Sequence, residues 1–285
     1  MGLSFNHGKL EHYPAHGMLE DPDYRSQTIV TANLAGISDL DKQLTYVGKE
    51  IKPAAICLEE VKRSDVGRYM NDLEGYSGEY AEADSSVDFP DGFGNLVLVR
   101  YPQTKPADMQ QLDGDFGWQN FTTHIFSRSL GQNIRDSYSE NRAAVAVHFN
   151  MPMKDGAQLP VDLIASHIAA DSNNGVGRRQ IISLKRFVDE ELDSDQDSLA
   201  VVCGDLNRIP NQARKIFSFP TWEVPLIGPT SVNSGKQIDQ IILRPEIKGG
   251  NRDIARYVIA KTGLVHGLIT DHRGAYATFT EVPLK

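Results

Sequence analysis

Cysteine is scarce in this chain: only Cys57 and Cys203 occur among 285 residues. So few thiols exclude a disulfide-built scaffold, and their spacing excludes a zinc site made of clustered cysteines. Each lies inside an apolar run, so both are expected as buried thiols in a reducing compartment. Long hydrophobic runs are also missing. No stretch of about 18 apolar residues is present, which argues against a membrane-spanning helix and against stable membrane insertion. The opening segment, MGLSFNHGKLEHYPAHG, has no apolar h-region, and Asn6 stands where a myristoylation signal needs Ser or Thr. A cytoplasmic location and a monomer are the expectation. Positive charge is in deficit as well, with 29 Lys and Arg against 38 Asp and Glu, a net charge of -9. An acidic surface repels polyanions at long range, so duplex DNA is not held here by bulk charge. A local basic rim or bridging metal ions remain as routes to a phosphate. No internal repeat or low-complexity tract is visible.

What is present is a succession of short, β-branched apolar runs. Strands are expected at TIVTAN (28–33), AAICLE (54–59), NLVLVR (95–100), AAVAVHF (143–149), VDLIASH (161–167), LAVVCG (199–204), IDQIIL (238–243) and AYATFT (275–280). Two helical patterns separate them. SDLDKQLTYVGKEI begins with Ser38 or Asp39 as a cap and lines up Leu40, Leu44, Val47 and Ile51. GRRQIISLKRFVDEELDS lines up Ile181, Leu184, Val188 and Leu192. Both lie between strands, as helices covering a sheet do. NMPMKDGAQLP, between AAVAVHF and VDLIASH, is turn-rich and reads as a hairpin connection. Residues 1–26 read as an irregular N-terminal arm. Residues 27–285 read as a single domain, with 103–141 as an irregular insertion that is a binding-loop candidate.

Polar residues gather at the strand ends. TIVTAN ends in Asn33, AAICLE in Glu59 with Glu60 beyond it, and VDLIASH in His167. VVCGDLN supplies Asp205 and Asn207, QIDQIIL opens on Asp239, and Asp271 and His272 precede AYATFT. Strands of one sheet bring their ends to a common rim, so these groups can meet in one cleft. Hard oxygen donors with amides and two imidazoles suit Mg²⁺ or Mn²⁺ rather than thiolate-bound zinc. The period of two along a strand would place Asp205 and Asn207 on the same side.

In order and spacing, these segments resemble the endonuclease/exonuclease/phosphatase superfamily of metal-dependent phosphoesterases. The resemblance rests on TANLAG, ICLEEV, GFGNLVLVRYP, ASHIAADSNNGVGRRQ, CGDLN, QIDQIIL and TDHRGAYATF, and it runs from about residue 28 to 280. One departure stands out: Glu59 replaces the glutamine that usually precedes the family's metal-binding glutamate. The resemblance implies an α/β (α+β) fold: a four-layered sandwich of two mixed β-sheets packed face to face, with helices outside. It implies a hydrolase that cleaves phosphodiesters with Mg²⁺, or Mn²⁺, by in-line attack of water. Glu60 would be the main metal ligand, with Asn33 and Asp271 near the same ion. Asp205 would orient or deprotonate the water, and Asn207 would donate its amide to a nonbridging oxygen. Asp239 would pair with His272, and His167 would be a second phosphate-facing imidazole. Arg142, Arg179 and Arg208 would bind substrate. The substrate class stays open among nucleic acid, phospholipid head groups, inositol phosphates and nucleotides. The alternatives are a phosphomonoesterase acting on a sugar or inositol phosphate and a non-catalytic binding protein of the same fold.

Overall fold

The computed structural model describes residues 9–15, 26–37, 41–84, 92–112, 142–153, 156–170, 175–193, 198–217, 222–244 and 256–282. Two mixed sheets carry the architecture. The first contains β1 (Leu10–Tyr13), β2 (Thr28–Asn33), β3 (Ala55–Lys62), β4 (Ser77–Asp84), β5 (Phe93–Val99), β11 (Arg256–Ile269) and β12 (Arg273–Val282), in the order β1-β4-β5-β3-β2-β12-β11. The second contains β6 (Gln103–Leu112), β7 (Arg142–Pro152), β8 (Gln158–Ser166), β9 (Leu199–Asp205) and β10 (Asp239–Arg244), in the order β10-β9-β8-β7-β6. In the first sheet only β2 and β3 run parallel, and in the second only β8 and β9 do.

Alternation along the strands sorts side chains into layers. Ala55 and Cys57 of β3 face the second sheet, whereas Ile56 and Leu58 face outward. The space between the sheets is filled by Ile29, Cys57, Val97, Val145, Val201 and Ile241, all fully buried. The outward face of the first sheet packs on α1 (Asp41–Tyr46), the π-helical turn Val47–Ile51 that continues it, and α2 (Arg63–Asp72). The outward face of the second sheet packs on α3 (Val176–Asp193) and α4 (Pro210–Ile216). Ile181, Leu184, Val188 and Leu192 are all buried on α3, the stripe expected for a helix lying on a sheet. Truncating Leu184 to Ala would cost about 2–5 kcal/mol. The result is the helix–sheet–sheet–helix order of a four-layered sandwich, with few helices among the described residues and only α3 long.

β9, LAVVCGD, is buried along its whole length, because both of its faces are covered. The two edges of the sandwich differ from the sequence reading. Residues 10–13, expected in an irregular arm, pair with β4 as an edge strand. Residues 103–112, expected in an irregular insertion, form β6, which pairs with β7 through two register shifts. β6 carries Pro106 and mostly exposed or half-buried side chains, as edge strands do. Residues 113–141, with the stretch FGWQNF, and the proposed caps Ser38 and Asp39 lie outside the described residues. The β7–β8 hairpin forms as expected. Among the described residues, no helix is long and apolar enough to cross a membrane.

A polar network is sealed under α3. His148 of β7 contacts Asp162 Oδ1 of β8 through Nδ1 at 2.5 Å, and Ser198 donates to the other oxygen of Asp162. His148 Nε2 lies 3.4 Å from Glu191 near the end of α3. Asp162 sits four residues back from Ser166, the end of β8, a distance of about 13 Å along a strand.

Candidate active site

The topology brings seven polar residues to one place. Parallel strands point their C-terminal ends the same way, so β2 and β3 deliver Asn33 and Glu60 together. In the same manner β8 and β9 deliver His167, just past Ser166, and Asp205. The two pairs are closed alike: Leu34 N–H donates to Glu59 O at 2.9 Å, and Ile168 N–H donates to Asp205 O at 2.9 Å. Antiparallel neighbours then contribute their starts. Asp239 opens β10 directly opposite Asp205, and the turn before β12 brings Asp271 and His272 beside the end of β2.

Side-chain geometry centres on Asp205. Asn33 Nδ2 donates to its Oδ2 at 3.1 Å, and the Nε2 atoms of His167 and His272 each lie 3.6 Å from that oxygen. His272 Nδ1 is held by Asp239 at 3.0 Å, while His167 Nδ1 lies 3.7 Å from Glu60 Oε1. Behind these groups stand residues that the motif reading did not mark. Thr230 Oγ1 accepts from Asp239 N–H at 3.1 Å, and Thr270 Oγ1 donates to Asn33 O at 2.9 Å while accepting from His272 N–H. The sequence signal for both is faint: a Ser/Thr-rich turn before a strand, which fixes backbone geometry rather than announcing chemistry.

Backbone strain concentrates here. Among the described residues, left-handed φ occurs at four non-glycine positions, and three of them, Ala35, Glu60 and Asn207, flank the site. β3 changes register against β5 between Leu58 and Val61, so Glu60 turns to the rim while Glu59 stays between the sheets. Gly204, at φ +128°, is required on steric grounds: a Cβ there would lie 1.9 Å from Ser166 O.

The electrostatics follow from crowding carboxylates in a dry corner. Burial, and next the opposing Asp239, push Asp205 up to about 7. Burial opposes the charge on His272, but the Asp239 hydrogen bond and the surrounding carboxylates win and hold it up to about 9. Burial, with Arg142 and His272 nearby, keeps His167 well below the usual histidine range, and hence neutral. Glu60 is raised by burial against the lowering influence of Arg142 and the Asn33 hydrogen bond, with Asp271 raising it further. Glu59 is raised well above the carboxylate range, first by burial and then by Asp239; its Oε1 accepts from Thr31 at 2.8 Å.

Several expected residues stand differently from the sequence reading. β9 ends at Asp205, so Asn207 does not share a strand face with it. Instead Asp205 Oδ1 accepts Asn207 N–H at 2.9 Å in a turn, and Asn207 Nδ2 donates to Ile168 O at 2.8 Å. Asn33 turns its amide N–H₂ toward Asp205 and Glu60, because its Oδ1 is taken by Ala35 N–H at 2.8 Å. It links the two carboxylates rather than offering an oxygen. Arg142, buried at the start of β7, stacks over Phe93 at 5.4 Å and acts on Glu60 and His167. The Arg208 guanidinium is buried, donates to Asn207 O at 2.8 Å and packs near Gly177, so it anchors the turn. Arg179 lies in the first turn of α3, where its backbone N–H bonds Gly175 O at 3.1 Å.

The donor set fits a hard divalent cation. Glu60 and Asp271 repel each other at the rim, and one ligand atom each from Asp205, Asp239 and His272 lie within 4.8 Å of one another. The two thiols point into the inter-sheet core, away from these oxygens.

A two-sheet α/β sandwich whose two parallel pairs end in one carboxylate–imidazole cluster defines a class of protein: a sandwich with an oxygen-rich site suited to a divalent cation. Residues 30–272 match the model of the Endonuclease/Exonuclease/phosphatase family, and the chain belongs to that family. No curated protein matches the sequence. Solved structures with a similar fold include an endonuclease/exonuclease/phosphatase from Beutenbergia cavernae, 16% identical, with TM-score 0.64 over 90% of this chain and 72% of that one. D. rerio TDP2 complexed with single strand DNA product is 15% identical, with TM-score 0.60 over 90% and 99% of the two chains. The human Nocturnin catalytic domain with bound sulfate anion is 14% identical, with TM-score 0.61 over 90% and 95%.

Proposed function

We propose that the protein is a divalent-metal-dependent phosphoesterase that hydrolyses phosphodiesters, with Mg²⁺ or Mn²⁺ as cofactor. The observation that carries this reading is Asp205: a buried carboxylate pushed to about 7, flanked at 3.6 Å by the Nε2 atoms of two histidines in opposite protonation states. A base poised near neutral pH beside one cationic and one neutral imidazole is an acid–base arrangement.

In this reading Asp205 Oδ2 takes the proton of the attacking water, and Asn33 keeps that oxygen aimed. His272, kept cationic by Asp239, stabilises negative charge growing on the phosphate through Nε2–H. His167, neutral, would donate a hydrogen bond from its ring N–H to the leaving oxygen. Glu60 and Asp271 would hold the cation, which supplies charge neutralisation of the phosphate and leaving oxygen. Asn207, with one amide hydrogen committed to Ile168 O, has a second for a nonbridging oxygen. Arg142 is the cationic side chain best placed beside these groups. The neighbour solved with single-stranded DNA product supports including an oligonucleotide among the test substrates.

The test is hydrolysis of bis-p-nitrophenyl phosphate and a single-stranded oligonucleotide, with p-nitrophenyl phosphate as the monoester control. Activity is expected with Mg²⁺, lost on chelation, and reduced by about 10³-fold or more in Asp205→Asn. Chelator-resistant turnover, or full activity in a folded Asp205→Asn protein, would overturn the reading. Faster turnover of the monoester would replace it with the phosphomonoesterase alternative.

A further inference from the structure

The chain's only two cysteines meet across the sandwich. Cys57 comes from β3 and Cys203 from β9, in opposite sheets, and the Cys203 thiol donates to Cys57 Sγ at 2.8 Å. Both are fully buried. Packed sheets normally lie about 10 Å apart, beyond the roughly 7 Å Cα separation that a disulfide tolerates. The sandwich is pinched at this point. Cα atoms of β3 and β9 come within 8 Å of each other, and a Cβ on Gly204 would lie only 3.1 Å from Glu59 Oε1. The missing side chain at Gly204 leaves room for the Glu59 carboxyl next to the two sulfurs.

We infer that Cys57 and Cys203 form a modification site: a thiol pair that a peroxide-class oxidant converts to an inter-sheet disulfide beneath the candidate active site. The chemistry balances with hydrogen peroxide. One sulfur, as thiolate, attacks a peroxide oxygen; the O–O bond breaks, giving a sulfenic acid and one water. The other sulfur attacks the sulfenic sulfur, the S–O bond breaks, and a second water leaves. Two thiols lose two protons and two electrons, and the peroxide receives them. A dithiol reductant reverses the linkage by exchange. Burial holds the Cys57 thiol up, which keeps thiolate scarce and the first step slow, and it shuts out bulky reagents, so a small oxidant is favoured over a peptide-sized disulfide.

The consequence is mechanical. Cys57 lies three residues before Glu60, and Cys203 two before Asp205, so the bond would fix the two strands that carry those carboxylates. It would also close a chain segment of 146 residues, restricting the unfolded ensemble.

The experiment uses the purified full chain, once with dithiothreitol and once with hydrogen peroxide, followed by denaturation without reductant. Expected are loss of both titratable thiols, loss of two hydrogen masses from the linked pair, and a peptide containing Cys57 joined to Cys203. The melting temperature should be higher in the oxidised than in the reduced protein, and the difference should vanish in Cys203→Ala. If that variant does not fold, Cys57→Ser replaces it; the wild-type peptide map needs neither. Two thiols that stay titratable while methionines are oxidised would overturn the inference. So would sulfinic acid in place of the linkage, or a linked form that melts lower. These readouts do not depend on phosphoester hydrolysis, so their failure is separate from failure of the catalytic reading.

Discussion

Two Asp–His pairs among the described residues have nearly the same local chemistry. In each, a carboxylate holds His Nδ1 and a second carboxylate faces Nε2: Asp239 and Asp205 around His272, Asp162 and Glu191 around His148. What differs is where they sit and what else is satisfied. His148 and Asp162 lie back from the strand ends under α3, with Ser198 closing the remaining oxygen of Asp162. His272, in the turn before β12, points its ring at the end of β9 and the start of β10, beside a rim that also holds Glu60 and Asp271, and its carboxylate neighbours are crowded rather than completed. An Asp–His pair is therefore no mark of catalysis. Placement beside the C-terminal ends of the parallel pairs, with charge left to be balanced by something from outside, is what would separate the pair proposed to work from the anchoring one.

The sharpest way to break the comparison is to remove each imidazole. His272→Ala is expected to lower kcat by about 10²–10⁴-fold with a melting temperature near wild type. His148→Ala should leave kcat of the folded fraction unchanged and cost about 3 kcal/mol of stability, because Asp162 and Glu191 lose their shared partner. Denaturant melts beside steady-state kinetics check both. Equal activity losses in the two variants would erase the distinction.

Metal addition comes next. Mg²⁺ at a hundredfold excess over its Kd should stabilise the wild-type protein by about 2.7 kcal/mol. His148→Ala should retain that gain, and Glu60→Gln should lose most of it, as read by thermal shift with and without chelator.

A smaller effect is expected on titrating the metal-free protein. His272 binds its proton more tightly folded (about 9) than its ordinary 6.5, so its contribution is complete below pH 6.5 and disappears as pH rises through about 9. Asp205 acts in the same direction lower down, from 3.8 toward about 7. Stability from these two groups should fall across both windows, and the upper one should flatten in His272→Ala alone. The smallest change is expected at Glu59. Glu59→Gln removes a carboxyl whose proton burial holds well above the ordinary range, so it should stabilise the protein at pH 8, with the gain shrinking toward acid pH. A stability loss that is independent of pH would refute this.

The sequence made the interior strands and the site residues legible for one reason. Strands covered on both faces, such as LAVVCGD, must be continuously apolar, and a polar residue at their end stands out against that background. The edges carry no such signature. β6, QTKPADMQQL, buries almost nothing, and β1 is four residues long, so neither shows a period to read. α2, RSDVGRYMND, escapes the pattern because only Val66, Tyr69 and Met70 are buried on it, and Gly67 on its exposed side lowers helix propensity. Within the site, residue type was readable but direction was not. Asn207 is turned by a left-handed backbone, Arg208 folds back onto a carbonyl, and Asn33 is oriented by Ala35 N–H; local hydrogen bonds decide all three.

The irregularity in β3 has an evolutionary corollary. Adjacent glutamates would ordinarily project to opposite faces of a sheet, but here one stays in the dry interior and its neighbour turns to the rim. Selection can thus retune position 59, glutamine or glutamic acid, without re-aiming position 60. Losing a single residue from that strand would instead swing the interior group toward the opening and reverse the sidedness of every residue up to the next turn.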